Sequence, residues 1–305
     1  MPELPEVETI RKGLQKAIVG KTITGVEIRV PKLFHGDKKD IIGKKIKNVN
    51  RQAKQIIIDV EGDNNLLIHL KMTGQLIYDP SPNKFGSGQA DNKDGAREVY
   101  NETEGRIAGG HPSADWVAKL PKSTTHIIFD FSDGSKLFFN DLRRFGWIKV
   151  FNADELTNLL ADSLGIEPFD DKFTADELSK IIKNKPRWNI KKVLTDQSLI
   201  SGIGNIYSDE ALFRAGIQPE RKVKDVSDTE ITKLRSSIIK ALEIGLKYGG
   251  SSENTYVQID GSQGKAQEHF QVYNRGGQKC NRCDSNIKKI RLNGRGTHFC
   301  PKCQK

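Results

Sequence analysis

Apolar residues at positions 7, 10, 14, 17 and 18 recur at helical spacing. Pro5 suits a first helical turn, Glu6 and Glu8 suit its electropositive end, and Gly20 suits a stop. The pattern predicts a helix that begins almost at the amino terminus. From Thr22 to about Phe151 the period changes. "TITGVEIRV", "KQIIIDV", "NLLIHLKMTGQLIY", "THIIFDF" and "SKLFFNDL" are short β-branched or aromatic runs, with Asp133-Gly134 as a hairpin signal between the last two. Several short strands separated by turns predict a β-sandwich. Pro80 to Lys122, rich in Gly, Asn, Asp and Ser, interrupts them. At 43 residues it exceeds an ordinary connection and reads as a mobile surface insertion, anchored at one end by Trp116, Val117 and Leu120.

Beyond Phe151 the chain reads as helical. "DELTNLLADSLG" and "TADELSKIIK" are helix-like, and "NIKKVLTDQSLISGIGNIYSDEALFRAGI" reads as helix, glycine-rich turn, helix. A Ser227/Glu230 capping box opens a further helix with apolar residues at 231, 234, 238, 242 and 246, closed by Gly249. The expected class is α+β and multidomain: an N-terminal β-sandwich over 1–152, a helical domain over 153–266, and, where Cys280, Cys283, Cys300 and Cys303 cluster, a C-terminal β-hairpin zinc finger over 267–305.

Charge narrows the partners. Lys+Arg 49 against Asp+Glu 39 gives a net +10 and a pI near 9.3, which favours a polyanion, nucleic acid first. On charge alone, an ordinary basic enzyme fits equally. No run of about 18 apolar residues is present, so no membrane span is expected. The first residues alternate acid and apolar, unlike a secretion signal, and the expected location is the cytoplasm.

All four cysteines fall in the last 26 residues, as "CNRC" and "CPKC" with sixteen residues between. Two such pairs, Cys280, Cys283, Cys300 and Cys303, make a closed tetrahedral site for one structural Zn2+. The intervening segment reads as a hairpin with Asn293-Gly294 at its tip, and its basic residues suit phosphate contact. "GIGNIY" follows a helix, not a strand, so it is no dinucleotide loop. It serves equally as a packing turn or as a set of N–H groups that, with Asn205, meet a phosphate. Residue type alone places Met72 and Phe145 in a core and Lys54 on a solvated surface. Removal of Met1 would leave Pro2 as a terminal secondary amine beside Glu3 and Glu6.

Together these motifs resemble bacterial formamidopyrimidine-DNA glycosylases. The resemblance runs through "MPELPEVET", "RQAK", "HLKMTG", "DLRRFG", "DQSLISGIGNIYSDEALFRAGI", "GGSSENTY", "QVYNRGGQKC" and "GRGTHFCPKCQK", nearly everything except the insertion. It implies a monomeric enzyme that removes oxidised purines from damaged double-stranded DNA and then cuts the abasic strand, in the cytoplasm with the nucleoid. Pro2 would be the nucleophile, Glu3 the acid/base group, Lys54 the proton donor of β-elimination and Arg295 the group of δ-elimination, with Glu6 supporting the terminus. Met72, Arg143 and Phe145 would form a wedge filling the space of the everted nucleotide, against the core reading. Thr124, Arg187, Lys191 and Asn205 would touch DNA, and the loop 249–266, with Ser251, Ser252, Thr255 and Tyr256, would close over the lesion. Two departures stand out: Thr124 falls where the family often has histidine, and Lys71 where glycine is common. The nearest alternatives are an endonuclease VIII-like enzyme for oxidised pyrimidines and a non-catalytic binder of damaged DNA.

Overall fold

A computed structural model describes residues 1–80, 106–110, 119–251 and 264–305. Twelve strands are described: β1 (Ile23–Ile28), β2 (Phe34–His35), β3 (Ile46–Gln52), β4 (Gln55–Val60), β5 (Asn64–His69), β6 (Gly74–Asp79), β7 (Ile107–Gly110), β8 (Thr125–Phe131), β9 (Lys136–Asp141), β10 (Trp147–Asn152), β11 (Lys288–Leu292) and β12 (Arg295–Phe299). Among the helices are α1 (Leu4–Ile18), α2 (Ala153–Ser163), α3 (Ala175–Lys183), α4 (Ile190–Thr195), α5 (Asn205–Ala215) and α6 (Asp228–Lys247).

Two five-stranded sheets, in the orders β1-β8-β9-β6-β7 and β2-β10-β5-β4-β3, face each other. Alternate residues point inward, so Leu76, Phe129, Phe139 and Ile127 of one sheet meet Ile56, Ile58, Ile68 and Ile148 of the other. The apolar stripe of α1, Val7, Ile10, Leu14 and Ile18, belongs to the same core. This helix lies against β7 at one sheet's edge and β3 at the other's. Its first residue, Leu4, is instead buried in a second core formed by α3 to α6. The amino terminus therefore emerges where the sandwich and the helices meet. A third, small core joins Phe213 of α5 to Val272, Ile287, Cys280 and Cys300 under the β11–β12 hairpin. The hairpin turns at Asn293 and Gly294 with φ of +50° and +76°, the conformation that an Asn-Gly turn supplies.

The reading of 80–122 as a loop needs correction. Residues 107–110 form β7, antiparallel to β6 with Tyr78 opposite Ile107 and Gln75 opposite Gly110. Gly109 is pressed so closely on Ile10 that a Cβ would overlap it, which is why so glycine-rich a piece can act as an edge strand beneath α1. Leu120 packs on Ile77, Ile128 and Phe138 on the sheet's outer face. The other expected anchors, Trp116 and Val117, lie outside the described residues.

Candidate active site

The first residues after Met1 are held by two carboxylates. Glu6, in the first turn of α1, accepts from the backbone N–H of Glu3 at 2.9 Å. Its other oxygen accepts from the Tyr207 hydroxyl and from the Ser251 N–H, both at 2.8 Å. Glu6 is 3% exposed, and burial, then Glu3, raises its pKa. Glu3 reaches the other way. Its carboxylate accepts from the N–H groups of Gly204 (2.7 Å), Ile206 (2.8 Å) and Tyr207 (3.3 Å). These are the orphan donors at the start of α5, so the Glu3 side chain caps that helix from 201 positions away. Three N–H groups of this segment thus go to Glu3 and not to a phosphate, one of the two readings that its sequence left open. Gly204 is required there, because a Cβ would overlap the Glu3 carboxyl.

Lys54 arrives on the β3–β4 turn. Ala53 adopts φ +53°, and the turn is fixed from outside the sandwich. Glu167, between α2 and α3, takes the Arg51 guanidinium on both oxygens, at 2.9 and 2.8 Å, and also accepts from the Ala53 N–H. Arg51 in turn reaches Glu8 and the Ala53 carbonyl. The Lys54 ammonium is not solvated, as its residue type suggested. It is buried and donates to the Ile203 carbonyl at 2.7 Å. Burial is the main cause that lowers its pKa to about 8, the charges of Glu3 and Glu6 opposing.

A cavity of about 350 Å³ opens over these groups, lined by Met1, Glu3, Met72, Asn205, Ile206, Tyr273 and Arg295. Burial lowers the pKa of the terminal amine that faces it, and the charges acting on that amine are Glu3, Glu6, Lys54 and Arg295. The chain carries Met1, so the Pro2 nitrogen is here an amide; it marks the place that a proline amine would occupy. Met72 and Phe145 are 44% and 52% exposed, the reverse of a core placement, and the Arg143 guanidinium lies 4.6 Å from the Phe145 ring centre. Beside Met72, Lys71 takes φ +51°, a strained choice where glycine would be free.

The remaining expected residues divide. Arg187 is exposed ahead of α4, and Thr124 is half-buried, its carbonyl accepting from the Asp141 N–H. Asn205 lines the cavity while its amide donates to the Gly296 carbonyl at 2.9 Å. Lys191 needs correction as a DNA contact. It is 1% exposed, and its ammonium is held by Asp209 at 2.5 Å and Thr297 at 2.8 Å. Asp209 also accepts from the His298 N–H, so this buried pair docks the β11–β12 hairpin, with Arg295 next to its tip, onto α4 and α5. Ser251 is buried at the base of its loop, whereas Ser252, Thr255 and Tyr256 lie outside the described residues. Tyr207, Arg51 and Glu167 escaped the sequence reading. The long-range partners that give them meaning leave no local pattern.

The four cysteine sulfurs lie within 4.8 Å of one another, with Cys283 to Cys300 at 3.4 Å and Cys280 to Cys303 at 3.9 Å. A tetrahedral zinc thiolate site has sulfur edges of about 3.8 Å, from Zn–S bonds of about 2.3 Å. The donor set therefore fits one structural zinc with no position left for water.

Three family models match in this order: the formamidopyrimidine-DNA glycosylase N-terminal domain over residues 1–148, its H2TH domain over 164–257, and the zinc finger found in FPG and IleRS over 277–305. The chain belongs to the formamidopyrimidine-DNA glycosylase family. Relatives of that name from Pelotomaculum thermopropionicum and Lactococcus lactis subsp. cremoris are 37% and 36% identical, covering 100% of this chain and 99% of each relative. Among solved structures, a mutant Lactococcus lactis FPG with Fapy-dG containing DNA superposes with a TM-score of 0.81 at 33% identity over 100% of both chains. The same protein with abasic site containing DNA gives 0.80 at 32% over 99% of both. It has also been solved with oxidized pyrimidine containing DNA, at 0.80 and 33% over 100% of both chains.

Proposed function

We propose that this chain is a base-excision repair glycosylase and abasic-site lyase that removes oxidised purines from double-stranded DNA. The observation that carries this reading is that the terminal Met1, Glu3 and Arg295, from segments up to 294 positions apart, line one cavity, with the Lys54 ammonium buried close enough for its charge to act on the terminal amine. With Met1 removed, the Pro2 secondary amine attacks the sugar carbon that bears the damaged base, and the C–N bond to the base breaks as the new bond forms. The base leaves with a proton, and the sugar ring opens to an iminium on Pro2. That cation accepts the electron pair released when the neighbouring sugar carbon loses its proton, and the 3′ phosphate leaves by β-elimination. A second elimination releases the 5′ phosphate and leaves a one-nucleotide gap.

Each side chain suits its step. Glu3 serves as acid/base toward sugar oxygens, and its fixed hydrogen bonds set its orientation. Lys54, with its pKa lowered to about 8, carries a proton it can both hold and give near neutral pH. Arg295, exposed on the hairpin, meets the phosphates. The zinc holds the hairpin and takes no part in bond making.

The target must leave the helix to reach this cavity, at an unstacking cost of a few kcal/mol, and Met72, Arg143 and Phe145 stand exposed to occupy the space it vacates. All the groups named come from one chain, which suits a working monomer of 34.1 kDa, and a DNA substrate suits a place in the cytoplasm with the nucleoid. Borohydride reduction during turnover tests the chemistry: the expected product is a stable protein–DNA adduct at Pro2. No adduct with zinc-loaded protein, or full activity with Met1 retained, would overturn it.

A second reading, preference for oxidised pyrimidines, draws support from the Lactococcus lactis complex with that class of DNA. Turnover on 8-oxoguanine opposite cytosine should exceed that on thymine glycol. The reverse order would select the second reading.

A further inference from the structure

The loop between β9 and β10 and the turn between β5 and β6 carry the exposed Phe145, Arg143 and Met72, yet share one buried acid. Asp141 is 1% exposed. Its Oδ1 accepts from the Thr73 hydroxyl and from the Arg143 N–H at 3.1 Å, and its Oδ2 from the Gly146 N–H at 2.6 Å. The Thr73 hydroxyl oxygen itself accepts from the Arg143 N–H at 3.0 Å. The Asp141 main chain is fixed as well: its N–H donates to the Thr124 carbonyl at 2.9 Å, and its carbonyl accepts from His126 Nε2 at 2.7 Å.

The pattern of donors is informative. Thr73 adjoins Met72, Gly146 adjoins Phe145, and Arg143 is the third exposed side chain, so every group on this carboxylate lies at or beside a member of the trio. An aspartate that only closes its own turn would accept from residues shortly after it and leave the rest to water. Here the carboxylate spans two loops whose tips point into solvent. The backbone on both sides is tight: a Cβ on Gly74 would overlap the Leu70 backbone, and one on Gly146 would press on the His69 carbonyl and the Phe139 ring. Side chains that enter a base stack must be aimed before they arrive, because a loosely held wedge loses part of the insertion energy to ordering.

We propose that Asp141, acting through Thr73, is a positioning residue for nucleotide eversion, holding Met72 at a fixed distance and angle from Arg143 and Phe145. This rests on the reading of those three side chains as the wedge.

Full-length, zinc-loaded protein carrying Asp141→Asn, Thr73→Val, Thr73→Ser or Met72→Ala would be compared with the parent. Two readouts serve: 2-aminopurine fluorescence beside the lesion reports eversion, and single-turnover excision reports chemistry. Each is measured on 8-oxoguanine opposite cytosine and on the same base opposite an abasic nucleotide, where stacking and pairing are already weakened. Asp141→Asn and Thr73→Val should slow eversion and excision at the paired lesion by about tenfold, the factor that about 1.4 kcal/mol makes. The unpaired lesion should change by less than about threefold, and Thr73→Ser should match the parent. Should Asp141→Asn fail to fold, Thr73→Val carries the same comparison. If Met72→Ala slows eversion while Asp141→Asn and Thr73→Val do not, the positioning role is wrong and the wedge stands. If Met72→Ala has no effect on eversion either, the wedge reading itself has failed. Equal slowing on both substrates, with a matching fall in Tm, would make Asp141 a general stability residue and end the proposal.

Discussion

The Glu3 carboxylate accepts a hydrogen bond from the Gly204 N–H at 2.7 Å, across 201 positions of sequence. That contact joins the amino terminus, which belongs by chain order to the sandwich, to the first turn of α5. Gly204→Ala tests it directly. The added methyl would overlap the carboxyl and displace it from the helix end. Single-turnover excision should fall by at least about a hundredfold, as for loss of a well-placed catalytic contact, while zinc content stays at one ion per chain. Excision within threefold of the parent would show that Glu3 need not be held there.

The pH dependence of strand cleavage at a preformed abasic site follows from two groups with opposite requirements. The Pro2 amine acts when neutral, and it would sit beside the position where burial lowers the pKa of the Met1 amine, so protonation sets an acid limb. Lys54 acts when charged, and that form is lost as pH rises through about 8. The rate should therefore be bell-shaped, with an alkaline limb that falls through about pH 8 and the two limbs belonging to the pair as a whole. Lys54→Arg should carry the alkaline limb upward, whatever its effect on the maximum. A parent profile that stays flat to pH 10 would contradict the assignment.

Arg51 and Glu167 clamp the turn that delivers Lys54, with side-chain exposures of 11% and 13%. Their partial burial and paired geometry make a measurable coupling, about 1–3 kcal/mol in a double-mutant cycle of Arg51→Met and Glu167→Leu followed by urea unfolding. Glu167→Leu alone should also slow abasic-site cleavage more than it weakens DNA binding. Additive stabilities with unchanged cleavage would reduce the clamp to an ordinary surface pair.

The insertion can be separated into parts. Tyr78 opposes Ile107, and the Arg106 guanidinium lies 2.7 Å from the Asp79 carboxylate, so residues 79 and 106 stand where a two-residue turn would join them. Replacing residues 80–105 by Asn-Gly should leave Tm within about 4 °C and excision within about threefold, since a surface change of under about 1 kcal/mol shifts Tm by no more in a protein of this size. Removing residues 81–121 altogether should be worse, because β7 and Leu120 go with it. Equal behaviour of the two deletions would mean that β7 adds nothing to the sheet.

Chelation of zinc should release the β11–β12 hairpin and with it Arg295, lowering DNA affinity by about a hundredfold or more through lost phosphate contacts. Far-UV circular dichroism should keep the strand signal of the sandwich, whose core shares no residue with the cysteine cluster. Unchanged affinity in metal-free protein would remove the hairpin from the DNA contact.

What the sequence disclosed and what it hid follow a physical division. Local chemistry was legible: the cysteine pairs, the Asn293-Gly294 turn, and the helix opened by the Ser227/Glu230 box, where the Ser227 N–H donates to Glu230 at 2.9 Å. The motif resemblance singled out Glu3 and Arg295, which line the cavity, and Lys54, which is buried rather than solvated. Lys191 misled because the resemblance implied a basic contact at its position, and its partner Asp209 is eighteen positions on, on another helix. β7 was hidden because glycine at 109 and 110 marks a loop by composition, although closeness to Ile10 is what it serves. Asp141 was visible only as the first letter of "DLRRFG", since its role depends on Thr73 of another strand pair.

The helix α1 places Leu4 in the helical core and Val7 in the sandwich core, one turn apart. One helical turn thus belongs to both cores, so the sandwich and the helices cannot slide past each other without dragging the Glu3 carboxylate along the N–H groups of Gly204, Ile206 and Tyr207. The amino terminus works as a dowel that sets the alignment of the two halves.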